Sequence, residues 1–158
     1  MARKDFSIQA ILKCLVDTPP SKNLINIGLL AVRLGMGFVF IYGGQDKVLD
    51  PESFGIFLQN WAGIDPIVGS NMALLIGGLE ILSGVLIGIG LITRIAAGYQ
   101  LVVLVSALFL FGFNFILGPN IWKDPALIGI AIMLLLYGSG KFSLDHRISK
   151  SKDKVQAT

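Results

Sequence analysis

From Ile95 to Trp122 the chain runs 28 residues without a single Asp, Glu, Lys or Arg. About 20 apolar residues are enough to cross a bilayer, and a helix in a soluble core seldom stays uncharged for so long. The hydrophobic share of 54% over 158 residues points the same way, as does a mean hydropathy of +0.75. The chain therefore belongs in a membrane, and its charged residues become the informative ones. A net charge of +3 lies in short flanks and gives no basic globular face, so nucleic acid is not an expected partner. The lipid bilayer is.

Arg33 stands inside the first apolar run. Positions 33, 37, 40, 44 and 47 share one helical face, which carries Arg33, Gly37, Phe40, Gly44 and Lys47. A cation at mid-bilayer costs roughly 2.5 to 3.5 kcal/mol on insertion scales unless a partner or water meets it. Glu80 is the expected partner. With the first span starting near residue 24 and the second ending near 92, the two residues differ in depth by about 4 to 5 Å. A buried Arg33–Glu80 pair is thus expected, either as a charge clamp between two helices or as a polar pocket with Glu80 as candidate proton carrier.

Four spans follow from the apolar pattern, at about 23–44, 70–92, 95–117 and 124–140. The fold class expected is all-α, an integral membrane four-helix bundle with short interfacial amphipathic helices. Residues 1–22 read as an amphipathic leader on the membrane surface, ended by Pro19-Pro20. Asp50-Pro51 reads as a helix cap followed by Phe54, Phe57, Leu58 and Trp61 on one face, a short interfacial helix. Gly63, Pro66 and Gly69 return the chain to the membrane, and Asp124-Pro125 repeats the cap-plus-proline start. Residues 141–158 form a basic tail. Gly84 and Gly88 make a small-xxx-small pair suited to close helix packing.

Further binding candidates lie around these spans. Tyr99 and Gln100, one turn into the third span, fall near the expected clamp with Ser83 and Ser106. Asp46, Lys47 and Trp61 are placed to surround a polar headgroup at the opposite end. Arg94 sits in a tight polar turn and is read as structural. Cys14 is the single cysteine and His146 the single histidine, so the chain offers no CxxC pair, no cysteine cluster and no histidine pair for a haem. No metal or covalently held cofactor is expected.

The pattern Arg33, Gly37, Gly44-Gln45-Asp46-Lys47, then Gly77-Gly78-Leu79-Glu80, Gly84, Gly88 and Thr93-Arg94, then Gly138 to Asp145, resembles the DoxX family. That family comprises small four-helix membrane proteins of bacteria and archaea. The resemblance implies association with thiosulfate:quinone oxidoreductase, terminal quinol oxidase or redox-stress membrane complexes. It makes quinone a possible ligand, other membrane or redox subunits or a second copy the expected partners, and the chain an accessory subunit of a quinone-dependent oxidoreductase. Two alternatives stay open: a non-catalytic assembly subunit, and a module that binds lipid or a small solute.

Ten cations (Arg3, Lys4, Lys13, Lys22, Arg94, Lys141, Arg147, Lys150, Lys152 and Lys154) fall on one side of a four-span arrangement, against Lys47 and Lys123 on the other. The positive-inside rule then puts both termini in the cytoplasm of a multi-pass protein of the cell membrane. Reporter fusions after Thr158 are expected to be cytoplasmic and fusions near Asn60 external. A C-terminus on the outside would overturn both the orientation and the even number of spans.

Overall fold

A computed structural model describes residues 21–112 and 123–156, and every regular element among them is a helix. Helix α1 covers Lys22–Leu49, α2 Pro51–Ala62, α3 Pro66–Ile89, α4 Thr93–Phe111, α5 Asp124–Tyr137 and α6 Leu144–Gln156. The expected leader lies almost wholly outside the described residues, and so does the end of the expected third span. Helices α1, α3 and α4 are long and apolar enough to cross a membrane, and α5 is a shorter apolar helix of 14 residues. The chain is a membrane helical bundle.

Local chemistry accounts for the helix ends. Ser21 Oγ accepts from the Leu24 N–H at the start of α1. The Asp50 carboxylate accepts from Ser53 N–H (3.1 Å) and precedes Pro51. Hydrogen bonding with Ser53 holds the Asp50 carboxyl below its usual range. Asp65 repeats the device for α3, accepting from Ile67 and Val68 N–H ahead of Pro66. Gly63 and Gly90 end α2 and α3 in the left-handed conformation that glycine adopts at least cost. At α5 the expected cap shifts by one residue: Lys123 holds the cap position, and Asp124 is the first helical residue.

The first span does not stop at Gly44 but continues to Leu49. Gly43-Gly44 is no helix stop because Gly44 is a packing residue. A Cβ there would come within 2.6 Å of the Gly77 carbonyl oxygen, and one on Gly77 within 2.7 Å of the Gly44 oxygen. Gly37 and Gly84 meet in the same way, at 2.7 and 2.9 Å. Helices α1 and α3 therefore run antiparallel with their backbones in contact at two glycine pairs, each seven residues apart along its helix. Of the expected Gly84–Gly88 pair, Gly84 makes the tight contact, while Gly88 meets Gly37 only through its backbone and a Cβ on it would meet open space. A third close approach, Gly55 against Gly69, seats α2 on α3.

Helix α4 packs beside α3 and α5 beside α4. The core between them is formed by Leu29, Met36, Phe40, Ile87, Ala96, Ala97, Leu104, Leu127, Ala131 and Leu134. Phe57 of α2 packs on Phe111 of α4, ring centroids 5.0 Å apart, which ties the interfacial helix to the bundle. Phe54 and Trp61 flank Phe57 on the same face. Lys22, Arg94 and Lys141 gather at one end of the bundle, called the basic end below. Lys47, α2 and Lys123 mark the far end.

Gly44→Ala and Gly77→Ala are expected to force α1 and α3 apart and destabilise the protein by about 1 to 3 kcal/mol, as overpacking does. Gly35→Ala and Gly43→Ala, with nothing within 4 Å of the added carbon, should be neutral or slightly stabilising. Thermal unfolding in one detergent compares the four. Equal effects at all positions would show that the glycine contacts do not hold the helices.

Candidate functional site

Arg33 is 1% exposed, and none of its hydrogen bonds goes to Glu80. Its Nε donates to the Ile87 carbonyl (3.1 Å), and Nη2 donates to those of Gly88 (3.0 Å) and Phe142 (2.9 Å). Nη1 donates to the Ser139 carbonyl. Two acceptors belong to the last turn of α3, where carbonyls lack helical partners and the helix dipole is negative. The other two belong to the segment between α5 and α6. One guanidinium thus ties three parts of the chain together at the basic end.

The expected Arg33–Glu80 pair is corrected by helix register and side-chain direction together. In an antiparallel register that sets Gly37 against Gly84 and Gly44 against Gly77, Arg33 lies level with Gly88. Glu80 is eight residues away, about 12 Å along the axis. Helical side chains lean toward their own N-terminus. Arg33 therefore leans to the basic end, and Glu80 leans to the far end. By the same rule Lys47 leans back into the bundle and meets Glu80: Nζ lies 2.7 Å from Oε2.

The Lys47–Glu80 pair is the ionic contact between α1 and α3. The Lys47 side chain is 21% exposed and that of Glu80 5%. Lys47 also donates to the Gly43 carbonyl (3.2 Å) and stands 5.6 Å over the Phe54 ring. An ammonium has three N–H groups, so one is left without an oxygen partner among the described residues. Asp46, Lys47, Asp50, Ser53, Phe54 and Phe57 line a cleft of about 420 Å³ at the far end. Trp61 does not line it and reaches it only through Phe57. Of the expected headgroup trio, then, Asp46 and Lys47 share a cleft and Trp61 stands behind.

Deeper in, Gln100 is fully buried on α4. Its Nε2 donates to Ser83 Oγ and to the Glu80 carbonyl (3.4 Å). Its Oε1 is buried with no hydrogen-bond partner among the described residues. Ser83 Oγ donates to the Leu79 and Glu80 carbonyls. Tyr99 is half-buried and within electrostatic range of Glu80, as are Lys123 and Asp124. Asp124 is 7% exposed, with Lys123 Nζ at 3.5 Å from its Oδ1. Ser106 is exposed and takes no part. The chemistry-bearing residues of the interior thus gather around Glu80, with Lys47 in place of Arg33.

Arg94 is exposed and donates to the Leu136 carbonyl. Asp145 closes the pattern that carries the resemblance, but the sequence assigns it no role. Its Oδ1 accepts from Ile92 N–H (2.7 Å), and its Oδ2 from Thr93 N–H (3.1 Å) and Thr93 Oγ1 (3.0 Å). The carboxylate caps α4 from 52 residues away and supports Ile92, whose backbone takes the left-handed conformation (φ 44°) uncommon for a branched side chain. Partial burial pushes the Asp145 carboxyl up, but donors from Thr93, Ile92 and Ser139 outweigh it and hold it below the usual range.

The DoxX family model matches residues 28–112. An uncharacterized membrane protein of Mycobacterium tuberculosis is 31% identical over 147 residues, covering 85% of each chain. No solved structure matches the chain.

A double-mutant cycle separates the two geometries. Lys47→Ala and Glu80→Ala are expected to couple by about 0.5 to 3 kcal/mol, whereas Arg33→Ala and Glu80→Ala should add to within about 0.5 kcal/mol. Equilibrium unfolding in a fixed detergent gives all the values. Coupling of Glu80 to Arg33 and not to Lys47 would overturn the register.

Proposed function

The chain belongs to the DoxX family, and we propose that it serves as an accessory membrane subunit of a quinone-linked redox complex. The basic end faces the cytoplasm in this reading, and the quinone headgroup sits at the far end beside Lys47. The observation that carries it is a cleft lined by Lys47, Phe54 and Phe57, with Glu80 bound to Lys47 behind it. A single cysteine and a single histidine in the whole chain suit a subunit that leaves electron transfer to a cofactor-bearing partner.

The residues fit such a ligand. A cleft of about 420 Å³ falls within the roughly 300 to 1,000 Å³ of small-molecule sites. Phe54 and Phe57 offer flat apolar faces. The unmatched N–H of Lys47 is a donor for a carbonyl oxygen. A quinone supplies a two-electron, two-proton acceptor when bound. Within this chain, Lys47 would orient the ring and Glu80 would hold or release a proton through its contact with Lys47. Tyr99 and Asp124, both close to Glu80 electrostatically, would assist that exchange. The electrons come from the partner.

Glu80→Gln keeps the shape of the side chain and an acceptor for Lys47 but removes the exchangeable proton. The variant is expected to fold and assemble normally while quinone-linked turnover of the complex falls by about 10²-fold or more, the range of general acid–base effects. Lys47→Met should instead raise the quinone concentration needed for half-maximal turnover. Full turnover in a folded Glu80→Gln complex would overturn the proton-carrier role and leave an assembly subunit.

A further inference from the structure

The basic end carries a second cleft, of about 590 Å³, unrelated to the Lys47–Glu80 pair. Arg94, Lys141 and His146 line it, and Asn26, Ile95 and Tyr137 are among its other lining residues. Arg94 uses one nitrogen on the Leu136 carbonyl, which leaves most of its five N–H donors unused. Asp145 also lines the cleft, and its charge counts against an anion. Its oxygens are engaged by Ile92 N–H, Thr93 N–H and Thr93 Oγ1, and the two cations Arg94 and Lys141 in the same lining outnumber it.

The walls add a second requirement. Ile95 is 72% exposed and Tyr137 75% exposed, both at helix ends where a bundle leaves the hydrocarbon. A tyrosine there marks the interfacial level. A ligand in this cleft therefore meets cations at one end and lipid-facing apolar surface at the other. Helix α6, whose Asp145 and His146 line the cleft, also carries Arg147 and Lys150. Basic residues clustered just beyond a span attract anionic headgroups.

We propose that this cleft binds one anionic phospholipid, its phosphate held by Arg94 and Lys141 and its acyl chains lying along Ile95 and Tyr137. The shared chemistry is a phosphate oxyanion, and the source is the surrounding leaflet. The site is independent of quinone binding.

The test uses the full chain in neutral detergent, with phosphatidylglycerol, phosphatidylcholine and inorganic phosphate as separate additions. Native mass spectrometry should retain one phosphatidylglycerol per chain and little phosphatidylcholine, and phosphatidylglycerol should raise the melting temperature most. Lys141→Gln, at an exposed side chain, should weaken apparent phosphatidylglycerol binding about fivefold, and R94Q with K141Q roughly 20-fold or more, from the worth of each cation near an anionic surface. Should the double variant fold poorly, Lys141→Glu alone carries the comparison. Equal retention of the two lipids, unchanged binding in the charge variants, or equal protection by inorganic phosphate would each overturn the assignment.

Discussion

The backbone contact between α1 and α3 decides where every interior charge goes. Lipid offers no hydrophobic force to press two helices together, so association rests on close packing of small residues. Gly37 against Gly84 and Gly44 against Gly77 bring the axes near and set the register. In that register Arg33 faces the carbonyls at the end of α3, and Lys47 and Glu80 lean toward one another. Shifting α1 by a single turn would move Arg33 about 5.4 Å from its acceptors and leave a guanidinium unmatched in the bilayer. Glycine spacing and charge placement thus specify the same alignment.

The buried face Arg33–Gly37–Phe40–Gly44 was legible in the sequence, because helical periodicity alone groups those residues. The cap at Asp50 was legible too, from an acidic residue set before proline. The same signal at Asp65 went unread, and at Asp124 it marks the first helical residue instead of the cap. The partner of Arg33 was not legible. Counting depth from span boundaries takes the two helix ends as level, whereas the glycine register sets Arg33 and Glu80 about 12 Å apart along the axis. The tilt of Cα–Cβ bonds then widens that gap while joining Lys47 to Glu80. The cap of α4 was hidden for another reason. Ile92 precedes that helix and offers no side-chain acceptor, so the acceptor comes from Asp145, far along the chain. A helix start without its own cap was the available signal.

The two ends of the α1–α3 interface differ in kind. Arg33 is surrounded by neutral carbonyls and carries a guanidinium that stays protonated in proteins. It ties α3 to the segment after α5 and cannot trade a proton. Lys47 and Glu80 are in direct ionic contact, and Lys47 lines a cleft. About 21 Å of helix separates Arg33 from Lys47. In the proposed reading, a fixed latch at the basic end is thus set apart from a proton-exchanging pair at the far end.

The short α5 shapes that far end. Its 14 residues span about 21 Å, less than the roughly 30 Å of hydrocarbon. Lys123 and Asp124 at its start consequently fall within electrostatic range of Glu80. Two carboxylates and two ammonium groups then share one region in balance. If Glu80 takes up a proton, Lys47 still has Asp124 within electrostatic range, so its charge is not stranded. Breaking a buried pair is costly because the remaining charge is uncompensated, and a second carboxylate lowers that cost. In the proposed reading, this is what lets one proton come and go at Glu80 while the helices stay in place.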